Sequence, residues 1–106
     1  EGFIKKKREI ATSYWSFFQK TTWKLISEPV YSRSNYWLNS ILMNNRKERD
    51  EFLEFSNRNH VMIRPAWELM NNLPMFNHCQ TDELKNARII QDRMVNVPSG
   101  VIIRTN

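Results

Sequence analysis

Pro65 is the residue that most constrains this chain, because it follows a short apolar run directly and lacks the backbone N–H that a strand needs to continue its pairing. Proline also favours an extended conformation at the preceding residue, here Arg64. The sequence therefore predicts a strand over residues 61–64 that ends at Pro65 and holds the Arg64 guanidinium and the Trp67 indole near its end. Those two groups suit an anionic ligand that carries a ring.

The first part of the chain contains one helical pattern and two strand patterns. Apolar residues at three- and four-residue spacing predict an amphipathic helix over residues 3–19, with one face buried. Residues 21–30 are expected to include a short extended piece that Pro29 ends. Residues 36–43 alternate between two sides that are both mostly apolar, which predicts an internal strand covered on both faces.

A second helix is predicted after residue 44. Asn45 is a typical N-cap, and Glu48, three residues on, completes a variant of the capping box. Asn59 is expected to end the helix in the left-handed conformation. The side chains expected to turn inward are Phe52, Leu53 and Phe55. Because the connections on both sides of this helix are short, they predict a right-handed crossover in which the strands 36–43 and 61–64 run parallel.

The last part of the chain predicts one more helix. After a loop over residues 69–80, Thr81 is expected to cap a helix with acidic residues in its first turn, Asp82 and Glu83. This helix is expected to end on segment 95–100, and residues 101–103 are predicted to form a last short strand. These elements predict an α/β (α+β) fold, a small two-layer sandwich in which a few-stranded mixed sheet is covered by about three helices.

Composition limits the classes of function. The 106 residues suffice for a single domain, 1–106, around one core. The formal net charge is +5, and its one dense cluster is the basic run at residues 5–8. We interpret this run as a solvated helix face. A small basic module that binds nucleic acid is the alternative, and a protein-interaction module with an apolar face is a third reading.

Cysteine content and hydropathy indicate where such a chain works. The one cysteine, Cys79, excludes an internal disulfide framework and fits a reducing cytoplasm, and we expect it to be a small buried filler. No apolar stretch approaches the roughly 18 residues that span a bilayer. The first residues do not form a signal peptide. We therefore expect a soluble, cytoplasmic protein without a membrane partner. Nucleic acid is not the expected partner either, because no Arg/Lys-Gly-aromatic signature appears and the aromatic residues fall at core spacing.

Residues that could carry chemistry do not form a catalytic or metal-binding pattern. His60, His78 and Cys79 are too few for a metal site, and two of them are sequence neighbours that diverge on most backbones. Acidic pairs at residues 50–51 and 82–83 fall in predicted first turns, where the helix dipole explains them. Isolated glycines exclude a glycine-rich phosphate loop. We therefore assign no catalytic, cofactor-binding or metal-binding residue to the chain itself.

Four segments together have a more specific pattern. They are Ser-Asn-Tyr-Trp-Leu-Asn-Ser-Ile-Leu at 34–42, Arg-Pro-Ala-Trp at 64–67, Leu-Pro-Met-Phe at 73–76 and Asn-Val-Pro-Ser at 96–99. In this combination they resemble the end of the DegT/DnrJ/StrS family of sugar aminotransferases, and the resemblance covers nearly the whole chain. The members of that family are fold type I enzymes that use pyridoxal 5′-phosphate to aminate nucleotide-linked keto-sugars.

The resemblance implies that the chain is the small C-terminal domain of a longer enzyme, without its N-terminal cofactor-binding domain. In the intact homodimeric enzyme, an amino group would pass from glutamate through pyridoxal phosphate to a nucleotide-linked keto-deoxysugar. This domain would line the substrate cleft with Arg64, Trp67 and Asn71, and alone it would be inactive and bind no cofactor. Many relatives carry a histidine where Asn71 stands. Because an amide does not titrate, any sugar contact of Asn71 would not be acid–base.

Overall fold

The computed structural model describes residues 1–102 of the protein, in which helices cover one four-stranded sheet. The strands are β1 (Lys24–Leu25), β2 (Asn39–Leu42), β3 (Arg64–Pro65) and β4 (Met94–Val97), in the spatial order β1-β2-β4-β3. The helices are α1 (Gly2–Phe18), α2 (Arg46–Arg58) and α3 (Lys85–Arg93), with 3₁₀ turns at Met70–Asn72 and Pro74–Phe76. The predicted α+β class with three helices is confirmed, although α3 lies beside the opposite face of the sheet from α1 and α2. All neighbouring strands described are antiparallel, however, so the sheet is not mixed.

Strand β4 lies at the centre of the sheet, where the sequence analysis expected only the end of a helix. Residues 94–97 pair with β2 on one side and with β3 on the other. Val95 and Val97 are buried and alternate with the half-buried Met94 and Asn96. The sequence analysis assigned no strand to this segment, because this short alternation is decided by pairing with distant strands.

Strands β2 and β3 run in the same direction, as predicted, since both are antiparallel to β4. They are not neighbours, because β4 is inserted between them. Strand β3 ends at Pro65, as predicted, but it begins at Arg64 and not at residue 61, and one hydrogen bond continues past the proline. Pro65 is in register with Val95, and the Ala66 N–H donates to the Met94 carbonyl at 3.2 Å. An edge strand tolerates a proline there, because alternate N–H groups of such a strand face away from the sheet.

Helix α1 is fixed to the sheet by its apolar stripe and by two polar side chains. Phe18 is buried in the core, and Tyr14 packs against it. The Tyr14 hydroxyl donates to the Pro98 carbonyl at 2.6 Å, and the Lys7 ammonium donates to the carbonyls of Trp37 and Ser99. Burial also raises the pKa of Tyr14, which keeps the phenol protonated as a donor. The predicted amphipathic helix is therefore confirmed.

Helix α2 confirms its predicted cap but not its predicted end. The Asn45 side chain accepts from the Glu48 N–H at 2.8 Å. Glu48 reaches back to the Asn44 N–H at 3.3 Å, one residue before the position that a capping box uses. The left-handed residue is His60, with φ 63°, and not Asn59. Phe55 is 66% exposed, so the expectation that it turns inward was wrong.

Helix α3 begins at Lys85, three residues later than expected. Thr81 is not its cap. Instead the Asp82 carboxylate accepts from the Leu84 N–H at 2.7 Å, and Leu84 adopts φ 51° immediately before the helix. Of the last predicted strand, Val101 and Ile102 are not in a strand, and Ile103 lies outside the described residues.

The two aromatic residues of α2 give a matched test of the core. Phe52 packs against Trp23 with a centroid distance of 4.8 Å, whereas Phe55 on the same helix faces outward. We expect Phe52→Ala to lower the free energy of unfolding by about 2–3 kcal/mol, because a packed aromatic ring is lost. Phe55→Ala should change it by less than about 0.5 kcal/mol. Urea unfolding followed by far-UV circular dichroism measures both, and equal effects would contradict this placement of the core.

Ser99 gives a second test, because its hydroxyl serves three groups. It accepts from the backbone and side-chain N–H groups of buried Asn39 at 2.9 and 3.0 Å and donates to the Val97 carbonyl at 2.8 Å. Ser99→Ala leaves those buried groups unpaired, so we expect a loss of about 1–3 kcal/mol in unfolding free energy. Ser13→Ala, on the exposed side of α1, is the control. An unchanged urea midpoint for Ser99→Ala would contradict the prediction.

Candidate functional site

A groove of about 460 Å³ lies on the face of the sheet opposite α1 and α2. The side chains that line it are uncharged, and most of them are apolar. They are Trp37, Leu38, Ser40, Ala66, Trp67, Leu69, Ala87, Ile90, Gln91, Met94 and Asn96. They come from β2 and the segment before it, from β4, from α3 and from the segment after β3, which meet only when the sheet has formed.

Two tryptophans are the most exposed large side chains of this groove. Trp67 was predicted as a site residue, and it is 81% exposed in the segment that follows β3. Trp37 is 65% exposed in the segment before β2, and the sequence analysis did not assign it to a site. Its position in a strand pattern concealed it, because an aromatic residue in such a pattern usually packs in a core. The structure therefore adds Trp37 to the predicted Trp67.

A polar pair lies among the apolar residues of the groove. The Ser40 hydroxyl of β2 donates to the Asn96 side-chain oxygen of β4 at 2.6 Å. In this orientation the amide oxygen of Asn96 accepts from the hydroxyl, and its NH₂ group remains a potential donor. Within residues 1–102, the Asn96 side-chain NH₂ donates no hydrogen bond. The groove thus contains a hydrogen-bond donor that the described part of the chain leaves available.

Arg64 does not line this groove. Its Nη1 donates to the Asn57 side-chain oxygen at 2.9 Å and to the Ile63 carbonyl at 3.1 Å, so the guanidinium lies toward α2. Arg64 is exposed, and the other guanidinium nitrogens donate to no group of residues 1–102. The Arg64 guanidinium and the Trp67 indole, which the sequence analysis expected to act together, therefore do not line the same groove.

Asn71 lies in the 3₁₀ turn Met70–Asn72 and is half-buried. Its side-chain oxygen is inaccessible to solvent and accepts no hydrogen bond from the residues that the structure describes. The neighbouring residues form a network instead, in which Asn72 and Gln91 both donate to the Glu68 carboxylate. These bonds lower the pKa of Glu68 and connect the loop to α3. Asn71 is thus adjacent to the groove segment without being one of its lining residues.

Two residues of the basic run at 5–8, Lys7 and Arg8, form hydrogen bonds within the fold. The Arg8 guanidinium forms two bonds to the Glu28 carboxylate, at 2.6 and 2.9 Å, and a third to the Ser34 carbonyl at 2.8 Å. Lys7 donates to the carbonyls described above. A larger cleft of about 880 Å³ lies beside this region, but acidic and basic side chains both line it. The interpretation of this run as a solvated face was wrong for Lys7 and Arg8. Because these two cations already bind groups of the fold, the run is also less suited to contact nucleic acid.

The described residues contain neither a cluster of metal ligands nor a helix that could span a membrane. Within residues 1–102, no group of three or more His, Cys, Asp or Glu side chains could hold a metal ion. No helix in this range is both long and apolar enough to cross a bilayer. Cys79 is exposed, so the expectation of a buried filler was wrong.

The lysines do not fit a pyridoxal phosphate site, which needs a lysine in a pocket that lowers its pKa. All but one are exposed, and the half-buried Lys7 donates to two backbone carbonyls. They are Lys5, Lys6, Lys7, Lys20, Lys24, Lys47 and Lys85. The chain therefore does not itself present the residue to which this cofactor binds.

The Arg8–Glu28 pair predicts that the stability of the fold depends on pH in the acidic range. The Arg8 guanidinium, and next the Ser34 N–H, lower the pKa of Glu28 from 4.5 to about 2. A carboxylate with a depressed pKa stabilises the fold above pH 4.5, and that contribution is lost as the pH falls toward 2. We expect the melting temperature of Glu28→Gln to fall less steeply over this window than that of the unmodified chain. Glu9→Gln, on the exposed face of α1, is the control and should not flatten the curve.

Comparisons with known proteins show what the sequence and fold of this chain are similar to. No family model matches the chain. The chain is 29% identical over 102 residues to GDP-perosamine synthase of Vibrio cholerae, a match that covers 93% of this chain and 28% of that protein. Its fold superposes on the crystal structure of the aminotransferase TlmJ from Streptoalloteichus hindustanus with a TM-score of 0.80 and 16% identity, over 91% of this chain and 26% of that one. The chain thus spans about a quarter of the length of both proteins. The resemblance to sugar aminotransferases of the DegT/DnrJ/StrS type is thereby confirmed over nearly the whole chain.

Proposed function

We propose that this chain is the small C-terminal domain of a longer sugar aminotransferase that uses pyridoxal 5′-phosphate, and that it forms one wall of the substrate cleft. The observation that carries the proposal is the similarity to GDP-perosamine synthase over 93% of this chain and 28% of that protein. A match of this extent fits a domain whose cofactor-binding partner is encoded by the rest of a longer polypeptide. The seven lysines also support a cofactor-binding domain that lies outside this chain, because none of them is buried.

The reaction of the whole enzyme would move an amino group from glutamate to the keto carbon of a nucleotide-linked deoxysugar. Pyridoxal phosphate, held by the other domain, would supply the electron sink for this transfer. The working unit would be a homodimer, and the compartment would be the cytoplasm, which fits an exposed and unpaired Cys79. The isolated chain would be inactive.

The contribution of this domain is to position the substrate. Trp67 offers an exposed indole against which a sugar or base can pack. Arg64 has guanidinium N–H groups that no residue in the range 1–102 uses, and such a fork matches a pair of phosphate oxygens. Asn71 has a shielded oxygen that could accept from a sugar hydroxyl once a loop movement exposes it. Because the Arg64 guanidinium lies toward α2 whereas Trp67 lines the groove, they would hold different parts of the substrate.

The role of Arg64 can be tested in the full-length enzyme. We expect Arg64→Ala to raise the KM for the nucleotide-sugar by about tenfold, because a charge-assisted contact is lost, while the glutamate half-reaction stays nearly unchanged. The control is Arg58→Ala on α2, whose guanidinium bonds to Glu54 at the surface. Stopped-flow absorbance of the cofactor separates the two half-reactions. Equal losses in both, or equal effects of the two substitutions, would contradict the proposed role.

A further inference from the structure

We infer that the groove between Trp37 and Trp67 is a subsite for an uncharged ring that presents a hydrogen-bond acceptor to Asn96. The inference rests on the proposed function, because a nucleotide-linked sugar contains two candidate rings, a nucleobase and a hexose. It goes further by assigning the ring to one face of the sheet and by naming the residues that select it. The ionic part of the ligand is excluded from this subsite.

Size and shape favour a small ligand here. The groove measures about 460 Å³, which lies within the range of roughly 300–1,000 Å³ that small-molecule sites occupy. Its two indoles are 65% and 81% exposed within this chain, so much of their apolar surface is available for a ligand. Tryptophan faces bind bases and sugar rings because they supply a large, rigid apolar surface.

Charge decides which part of a ligand fits. None of the eleven side chains that line the groove is charged, so it offers nothing to balance a diphosphate. Burying an uncompensated anion against apolar walls is costly. Arg64, the predicted site residue that could bind an anion, does not line the groove and donates to Asn57 of α2. A ring in the groove and a phosphate outside it is therefore the arrangement that the side chains favour.

The Ser40–Asn96 pair supplies the polar selectivity. Because the Ser40 hydroxyl occupies the Asn96 oxygen at 2.6 Å, the amide presents its NH₂ group as the available donor. A ring oxygen, a hydroxyl or a base carbonyl can accept from that donor. A purely apolar ring cannot, and it would leave the NH₂ group unpaired when it covers the groove. This pair thus favours a nucleobase or a sugar over a hydrocarbon ligand.

The test uses the 106-residue chain and the indole N–H signals of its four tryptophans in ¹H–¹⁵N NMR spectra. The probes are uridine, adenosine and methyl 6-deoxyglucopyranoside, each up to about 20 mM, which detects the millimolar affinities typical of fragments. We expect at least one probe to shift the signals of Trp37 and Trp67. Trp15, which is 50% exposed but remote from the groove, is the internal control, and inorganic diphosphate should not compete. The responding probe identifies the ring as a base or as a sugar.

Variants make the test specific. Trp37→Ala should raise the Kd obtained from the Trp67 signal roughly tenfold, because one stacking face is lost. Trp15→Ala should leave that Kd unchanged. In the full-length enzyme, Trp37→Ala should raise the KM for the nucleotide-sugar and leave the glutamate half-reaction unchanged. The inference is overturned if no probe shifts the two signals, if all four indoles shift equally, or if dilution alone moves them, which would show a second copy in the groove. The proposed function fails on a different result, the absence of glutamate-dependent amination by the full-length protein.

Discussion

The antiparallel pairing of β2 with β4 is the constraint on which the rest of this structure depends. It joins residues 39–42 to residues 94–97, and it places Ile41 opposite Val95, neither of which is exposed to solvent. Strand β1 extends the sheet from β2, and strand β3 extends it from β4. The hydrogen bonds of Ser99 to Asn39 hold the end of this pairing, and α1 binds the carbonyls of the same region. Both helical layers therefore take their positions from one pair of strands that are distant in sequence.

The two faces of the sheet have different consequences for function. The face that carries Ile41, Val95 and Val97 is covered by α1 and α2 and forms the core. The other face carries Ser40, Asn96 and Met94, and α3 covers it only in part. Its two tryptophans remain exposed within this chain. A sheet with one closed face and one incompletely covered face suits a domain that contributes a wall to a site completed by another part of a protein.

Charge has a structural role here that composition does not show. The net charge of +5 and the basic run at residues 5–8 are compatible with an anionic partner. The structure instead uses Arg8 to hold Glu28 and Ser34, and Lys7 to hold two backbone carbonyls. Buried Arg49 likewise binds the Gln91 carbonyl and so joins α2 to α3. A guanidinium can serve as an internal clamp because its planar N–H groups reach several acceptors at once.

The sequence by itself determined the features that depend on neighbouring residues. These include α1 and its apolar stripe, the Asn45 cap of α2, the compact turn at residues 73–76 and the common direction of β2 and β3. It also pointed to Trp67 and to the resemblance that the comparisons confirmed. Tertiary structure alone decided the strand at residues 94–97 and the groove that unites Trp37, Asn96 and Trp67. The physical reason is separation along the sequence. Caps and helical stripes depend on nearby residues, whereas strand pairing and the grooves between elements join residues tens of positions apart.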